Sequence, residues 1–409
     1  MPQLAPFRGV RPLDALAGRI IAPPYDVLDR AEAQEILARQ PDSFLQVTRA
    51  DALVADDADM HGPEVYATAR ARLDQMLADG RLTQDPTAAF YLYSQTWKGR
   101  TQVGLMAGAR VADYDAGVIK KHELTRPDKE QDRVDHIEAL DAQTGLVFLA
   151  FRSEGTGAVA AELLETLAAS RPIAWSVATD DDVTHTLQPI SDAETIAQLQ
   201  RAFADVDALY VADGHHRSAA ASRVSAAHSG QDGRDHFLAG VFPDRHLEVL
   251  AYNRLVADLN GLTLDAFLAK VDAVFVRTPG VSPVPTGRGH WTMYIDGKWH
   301  GLTARPGTVP TDPVGSLDVA VLQDNVLAPI LGIDNPRTNT RITFVGGIRG
   351  HKGLSEAVEQ GKVAVAFHLH PTGMDQLFAV ADADRLMPPK STWFEPKLRG
   401  GVLAHRFSK

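Results

Sequence analysis

The stretch Ala208–Arg223, ALYVADGHHRSAAASR, constrains the fold of this chain more than any other. Leu209, Tyr210 and Val211 read as the end of a short buried strand. Ala212, Asp213 and Gly214 make a tight turn, and His215, His216 and Arg217 open an alanine-rich helix that runs to Ala227. A chain with this unit sets a sheet edge against a helix N-terminus, where unpaired N–H groups and partial positive charge attract an anion. Gly214 lets the backbone turn sharply and approach a ligand. The imidazoles of His215 and His216 and the guanidinium of Arg217 offer donors suited to phosphate oxygens. Arg217 is expected to face a ligand phosphate rather than a protein carboxylate. Asp213 adds a carboxylate for a metal ion or a substrate hydroxyl. The plainer account makes Asp213 a helix cap and the histidines packing residues. Gathering Asp, Gly, His, His and Arg in one turn favours a site.

A second polar constellation, VIKKHELTRPDKEQDRVDHIEAL, follows the apolar end of another strand at residues 118–140. Mixed sheets often place ligands at such strand ends. Lys121, His122 and Glu123 are the candidate site residues there. Glu123, set among cations, would stay ionised and could accept a proton from a substrate hydroxyl. Pro127 is expected to start a helix with Glu130, Arg133, Asp135 and Glu138 on its solvated face.

Other segments supply the frame. Ile20 and Ile21 read as a strand end, and Pro23-Pro24-Tyr25-Asp26 as a rigid turn that could also face a ligand. Asp29 should cap a helix from Arg30 to Ala38, and FLQVTR at residues 44–49 reads as a strand. Pro63–Gly80 has helical periodicity. Residues 89–95 and 103–111 should pair as a hairpin around Trp97-Lys98-Gly99-Arg100. Asp180, Asp181 and Asp182 read as a hydrated hairpin tip, and residues 247–255 as one strand. Gly346-Gly347 is a weak phosphate-turn signal. Near the C-terminus Lys390, Ser391, Thr392, Lys397 and Arg399 interleave with Trp393 and Phe394 between prolines, suggesting an ordered loop and strand that could close the active site.

The fold expected is α+β, with mixed sheets and additional α/β subdomains around a central cleft, divided at 1–112, 113–256 and 257–409. The chain has 409 residues, a net charge of −11 and no cysteine. The missing cysteines exclude disulfides and thiolate chemistry, and the acidity argues against general duplex binding. No long apolar run or signal-peptide core is evident, so the expectation is a cytoplasmic protein without a membrane partner. No zinc pattern and no Walker motif occur. The sequence leaves homo-oligomerisation open.

The blocks PFRGVRP, APPYDV, IKKHELTRPDKEQDR, ADGHHR, FVGGIRG and MPPKSTWFEPK together resemble a bacterial family defined only as a domain of unknown function, along essentially the whole chain. The Asp-Gly-His-His-Arg turn is also similar, more distantly, to the phosphate-binding turn of the ParB/sulfiredoxin superfamily, which includes free-serine kinases. That resemblance implies a ParB/sulfiredoxin-like nucleotide-binding core. Asp213, Gly214, His215, His216 and Arg217 would hold phosphate and, at Asp213, Mg²⁺. Glu123 would be the base by chain order and chemistry. The implied function is a phosphotransferase acting on a small hydroxylated metabolite, free serine among the candidates, with ATP, ADP or pyrophosphate as donor. The alternative is a ParB-like nucleotide-binding regulatory protein.

Overall fold

The computed structural model describes residues 1–229 and 233–407. Their contacts divide into two compact units, Met1–Leu247 with Pro396–Lys409, and Glu248–Glu395. The three-part division expected from sequence is not the one observed. Leu4–Ala5 (β1), Phe90–Trp97 (β2) and Arg100–Arg110 (β3) share a sheet with Ile119–Lys120 (β4), Val147–Phe151 (β5), Trp175–Ala178 (β6), Thr184–Ile190 (β7), Leu209–Asp213 (β8) and His236–Pro243 (β9). Ladder hydrogen bonds therefore cross the expected boundary at 112. The strand expected at 247–255 is interrupted at Ala251, leaving Glu248–Leu250 and Tyr252–Val256.

The order across the sheet is β4-β8-β5-β9-β3-β2-β7-β6, with β1 added to β3. The pairs β4/β8 and β5/β9 are parallel, and the other pairs are antiparallel. The unit is α+β with a mixed sheet. Lys98 and Gly99 turn the β2–β3 hairpin with φ of 50° and 77°, the left-handed pair that matches strand twist.

Two helices, Ala158–Ser170 (α2) and Ala193–Ala204 (α3), cover apolar side chains of this sheet. Leu164, Leu199 and Phe203 pack with Leu149, Phe151 and Val211 in one buried cluster. Each such side chain contributes about 1.5–3 kcal/mol relative to exposure. Asp192 caps α3 by accepting from the Thr195 N–H at 3.0 Å. A second cluster gathers Ile20, Leu37, Phe44, Leu45, Val47 and Leu73. Here two sequence readings fail. Leu45–Thr48 is a helical turn, not a strand, and Ile20 ends the short helix Ala17–Ile20. A segment as short as Leu45–Thr48 carries no decisive period of its own, and the local bonds Thr48 N–H to Phe44 O and Arg49 N–H to Leu45 O decide its form. Asp29 does cap its helix, in a reciprocal capping box with Glu32.

The helices Pro127–Leu140 (α1) and His215–Ala227 (α4) meet through Ile137, Ala220 and Val224. Small residues in SAAAS allow the approach. Pro127 starts α1 as expected, but its face is not simply solvated. Asp132 and His136 are buried, and the Arg133 side chain is only 13% exposed.

The second unit holds a six-stranded sheet of β10 (Tyr252–Val256), β11 (Phe275–Pro279), β12 (His290–Ile295), β13 (Lys298–Ala304), β14 (Ile342–Gly346) and β15 (Val365–His368). All pair antiparallel in the order β11-β13-β12-β15-β10-β14. Asp296-Gly297 turns the β12–β13 hairpin as the sequence predicts. Trp393–Glu395 pairs with Glu248–Leu250 in a separate ribbon. No described helix is long and apolar enough to cross a membrane.

Candidate functional site

Strand β8 ends at Asp213, and α4 begins at His215 with Gly214 between them at φ 94°. That left-handed backbone favours glycine, and a Cβ there would also sit 3.2 Å from the Arg217 guanidinium. The Gly214 carbonyl accepts from the amides of Arg217 and Ser218, at 2.9 and 3.1 Å. The amides of His215 and His216 lie in the helix's first turn, where no intrahelical acceptor exists.

Asp213 is half-buried. Its Oδ1 accepts from the Gly214 N–H at 2.8 Å, and its Oδ2 accepts from Lys397 Nζ at 3.1 Å. Burial alone would raise its pKa, but the Lys397 and Arg217 cations outweigh that and hold it well below the usual carboxylate range. Lys397 was not among the candidates. It arrives from a C-terminal strap whose backbone is gripped by the β2–β3 hairpin. Gln95 Nε2 donates to Lys397 O at 2.9 Å, Gln102 Nε2 donates to Pro396 O at 3.3 Å, and the two glutamines pair at 2.6 Å. Arg399 fastens the strap again by donating to Asp181 and Thr179. Asp181 is thus an anchor within the expected hydrated tip. A lysine within a proline-flanked block signalled an ordered segment, but not which carboxylate it would reach.

The 121–126 segment adjoins this turn. β4 runs parallel to β8 in the register Leu209↔Ile119 and Tyr210↔Lys120. His122 and His215 meet edge to face with ring centroids 4.5 Å apart. His216 Nε2 accepts from the Arg126 N–H at 3.0 Å, and Lys121 Nζ lies 4.3 Å from the centre of the Tyr114 ring. Glu123 is half-buried in the same segment.

Burial lowers all three histidines. His122 is pushed down to about 4 against the opposing pull of Asp213. His215 is lowered well below the ordinary value by burial and by His122. His216 is lowered by burial, then by Arg126. They are neutral near pH 7, so they serve as polar groups rather than cations. His122 Nδ1 and His215 Nε2 are buried without a hydrogen-bond partner.

Arg217 departs from expectation. Its Nη2 donates to Asp26 Oδ2 at 3.1 Å, its Nη1 donates to Leu146 O, and its guanidinium lies 5.8 Å from the Tyr25 ring centre. A protein carboxylate is its partner, because Tyr25 and Asp26 are folded onto it. Arg49 fixes that loop by donating to the Tyr25 and Leu28 carbonyls while paired with Asp51. Tyr25-Asp26 was legible only as a rigid turn that could face a ligand.

Lys390, Ser391 and Thr392 belong to the second unit. There Arg254 Nη2 donates to Lys390 O at 3.0 Å, Ser391 Oγ donates to Pro388 O at 2.6 Å, and Thr372 Oγ1 donates to Ser391 O at 2.9 Å. Among the described residues, no group of three or more His, Cys, Asp or Glu side chains is placed to hold a metal ion. Asp213 is a lone ionised carboxylate. Both of its oxygens are engaged, Oδ1 by the Gly214 N–H and Oδ2 by Lys397, so a divalent cation there would need ligand phosphates or water to complete its shell.

Among solved structures, a conserved hypothetical protein from Pyrococcus furiosus is 10% identical, with 71% of this chain and 90% of that chain covered and a TM-score of 0.34. A free serine kinase in complex with AMP is 8% identical, with 71% and 86% covered and a TM-score of 0.35. SbnI from Staphylococcus aureus, truncated at its C-terminus, is 11% identical, with 73% and 86% covered and a TM-score of 0.39. Similarities this slight carry no functional argument. No curated protein matches the chain. The family described as protein of unknown function (DUF1015) matches residues 4–320, most of the chain, and the chain belongs to that family.

Proposed function

We propose that the first unit is a phosphotransferase acting on a small hydroxylated metabolite, with a nucleotide or pyrophosphate as phosphate donor. The observation that supports this most is the parallel pairing of β4 with β8, which brings the Glu123 segment beside the Asp213–His215 turn. Phosphoryl transfer needs a proton acceptor and a phosphate cradle within reach of one substrate.

In this reading the His215 and His216 amides and Lys397 receive the donor's phosphate oxygens. Neutral His122 and His215 orient groups by hydrogen bonding. Glu123 takes the proton of the acceptor hydroxyl as its oxygen bonds to phosphorus. The bond from phosphorus to the leaving phosphate oxygen breaks, and that oxygen keeps the electron pair. Asp213 would be the one protein ligand to Mg²⁺, which when bound supplies neutralisation of phosphate charge. Arg217 acts through Asp26 and Tyr25 as a positioning residue. Free serine is the first acceptor to try, on the sequence resemblance of the turn to free-serine kinases.

The test incubates the full chain with Mg²⁺, ATP, ADP or pyrophosphate, and small hydroxylated acceptors, with phosphorylated product followed by ³¹P NMR. Glu123→Gln is expected to keep donor affinity while turnover falls about 10²–10⁴-fold. Donor binding without product from any acceptor would favour a nucleotide-binding regulator. Undiminished turnover by Glu123→Gln would remove Glu123 from the mechanism.

A further inference from the structure

The first unit holds a pocket, lined in part by Tyr25 and Arg217, to which the phosphoryl-transfer reading assigns no ligand. It has a volume of about 30 Å³ and is lined by Tyr25, Arg133, Thr144, Gly145 and Arg217, among others. At roughly 10–15 Å³ per water, that is room for two or three small atoms. Two guanidinium groups converge on it. Arg133 Cζ lies 4.3 Å and Arg217 Cζ 5.8 Å from the centre of the Tyr25 ring.

Their donors are only partly used. Arg133 Nε and Nη2 both donate to Asp132 Oδ2, and Arg217 donates through Nη1 and Nη2 to Leu146 O and Asp26. Arg133 Nη1 and Arg217 Nε have no acceptor among the described residues. Asp132 is shared, because its Oδ1 also accepts from Tyr66 Oη at 2.9 Å and meets His61 Nδ1 at 2.8 Å. Asp26 is different: its side chain is 39% exposed, so water can receive it if Arg217 turns to another anion.

We propose that this pocket binds the carboxylate group of a small organic acid, and that Asp26 stands in for that group when the pocket is empty. Guanidinium donors match a carboxylate in planar, paired geometry. The Asp26 side chain already pairs with Arg217, so a carboxylate is the anion that this guanidinium is seen to take. The proposal goes beyond phosphoryl transfer and does not rest on it, because binding is read without turnover.

The test measures the melting temperature of the full chain in sodium formate, acetate, phosphate and chloride at matched ionic strength. Formate and acetate are expected to raise it above the chloride value by mass action. Gly145→Ala narrows the pocket, since the new Cβ would lie 3.1 Å from Arg217 Cδ and 3.7 Å from Tyr25 Cε1. Gly145 is not at positive φ, so alanine suits its backbone. This variant should fold and lose carboxylate affinity about tenfold. Asp26→Asn removes the internal competitor and should tighten acetate binding, whereas a purely structural Asp26 would lower the melting temperature without tightening. A response to formate and acetate no larger than to chloride, or unchanged binding by Gly145→Ala, overturns the proposal. A response to phosphate alone overturns the choice of carboxylate. Glu123→Gln should bind acetate as the parent does, so failure of the transfer mechanism leaves this result distinct.

Discussion

Arg217 joins the turn to the Tyr25-Asp26 loop, and its worth depends on how far each partner is buried. Its own side chain is 12% exposed, and Asp26 is more accessible. Removing a buried charge's partner is costly when the survivor stays buried, and mild when water can reach it. Arg217→Ala leaves Asp26 hydrated but strips the Leu146 carbonyl of its donor and Tyr25 of its neighbour. The expected loss is about 1–3 kcal/mol of stability, read from the urea midpoint. This differs from the sequence expectation of a side chain kept for a ligand phosphate. An unchanged midpoint would mean that the Asp26 and Leu146 contacts contribute nothing.

Among elements, the β2–β3 hairpin and the C-terminal strap decide what surrounds Asp213. Gln95 and Gln102 face each other across the hairpin and turn their amides to the strap's carbonyls. Gln95→Leu keeps the side-chain volume but removes the donor to Lys397 O and the buried acceptor of the Gln102 amide. It should cost about 1–3 kcal/mol and speed amide hydrogen exchange over residues 396–403. Unaltered exchange there would show that the strap is held by other contacts. The sequence made the β8–turn–α4 unit legible because glycine at a strand end and an alanine-rich helix carry local signals. The parallel β4–β8 pairing joins two short apolar runs whose alignment no local period reports. Arg133 was missed because a charged residue on a helix pattern reads as solvated until its neighbours are known. The C-terminal block holding Lys397 was legible as a segment over the site, but not its pairing with Asp213, because no local period reports a contact across 184 residues.

At the scale of the molecule, acidity should unsettle the first unit. Burial pushes His122, His136 and His405 down to about 4 and His185 to about 3, with Arg133 aiding at His136, His236 at His405 and Arg399 at His185. Each folded value lies below the ordinary value near 6.5, so the unfolded chain takes up protons first as pH falls. The stabilisation is complete above about pH 6.5 and is lost progressively toward pH 4, with an upper bound of roughly 3 kcal/mol for each fully buried imidazole. Urea midpoints measured from pH 7.5 to pH 4.5 should fall steadily, and flat midpoints would contradict this account.

The Lys397–Asp213 contact also sets a timetable. The strap is encoded after the whole of the second unit, so a ribosome that has just finished Asp213 must add 184 residues before Lys397 exists. At about 5–20 residues per second, that interval is roughly 10–40 s. For its duration the carboxylate is without that cation, and a nascent chain released before Pro396 would expose an unfinished turn to proteases and chaperones.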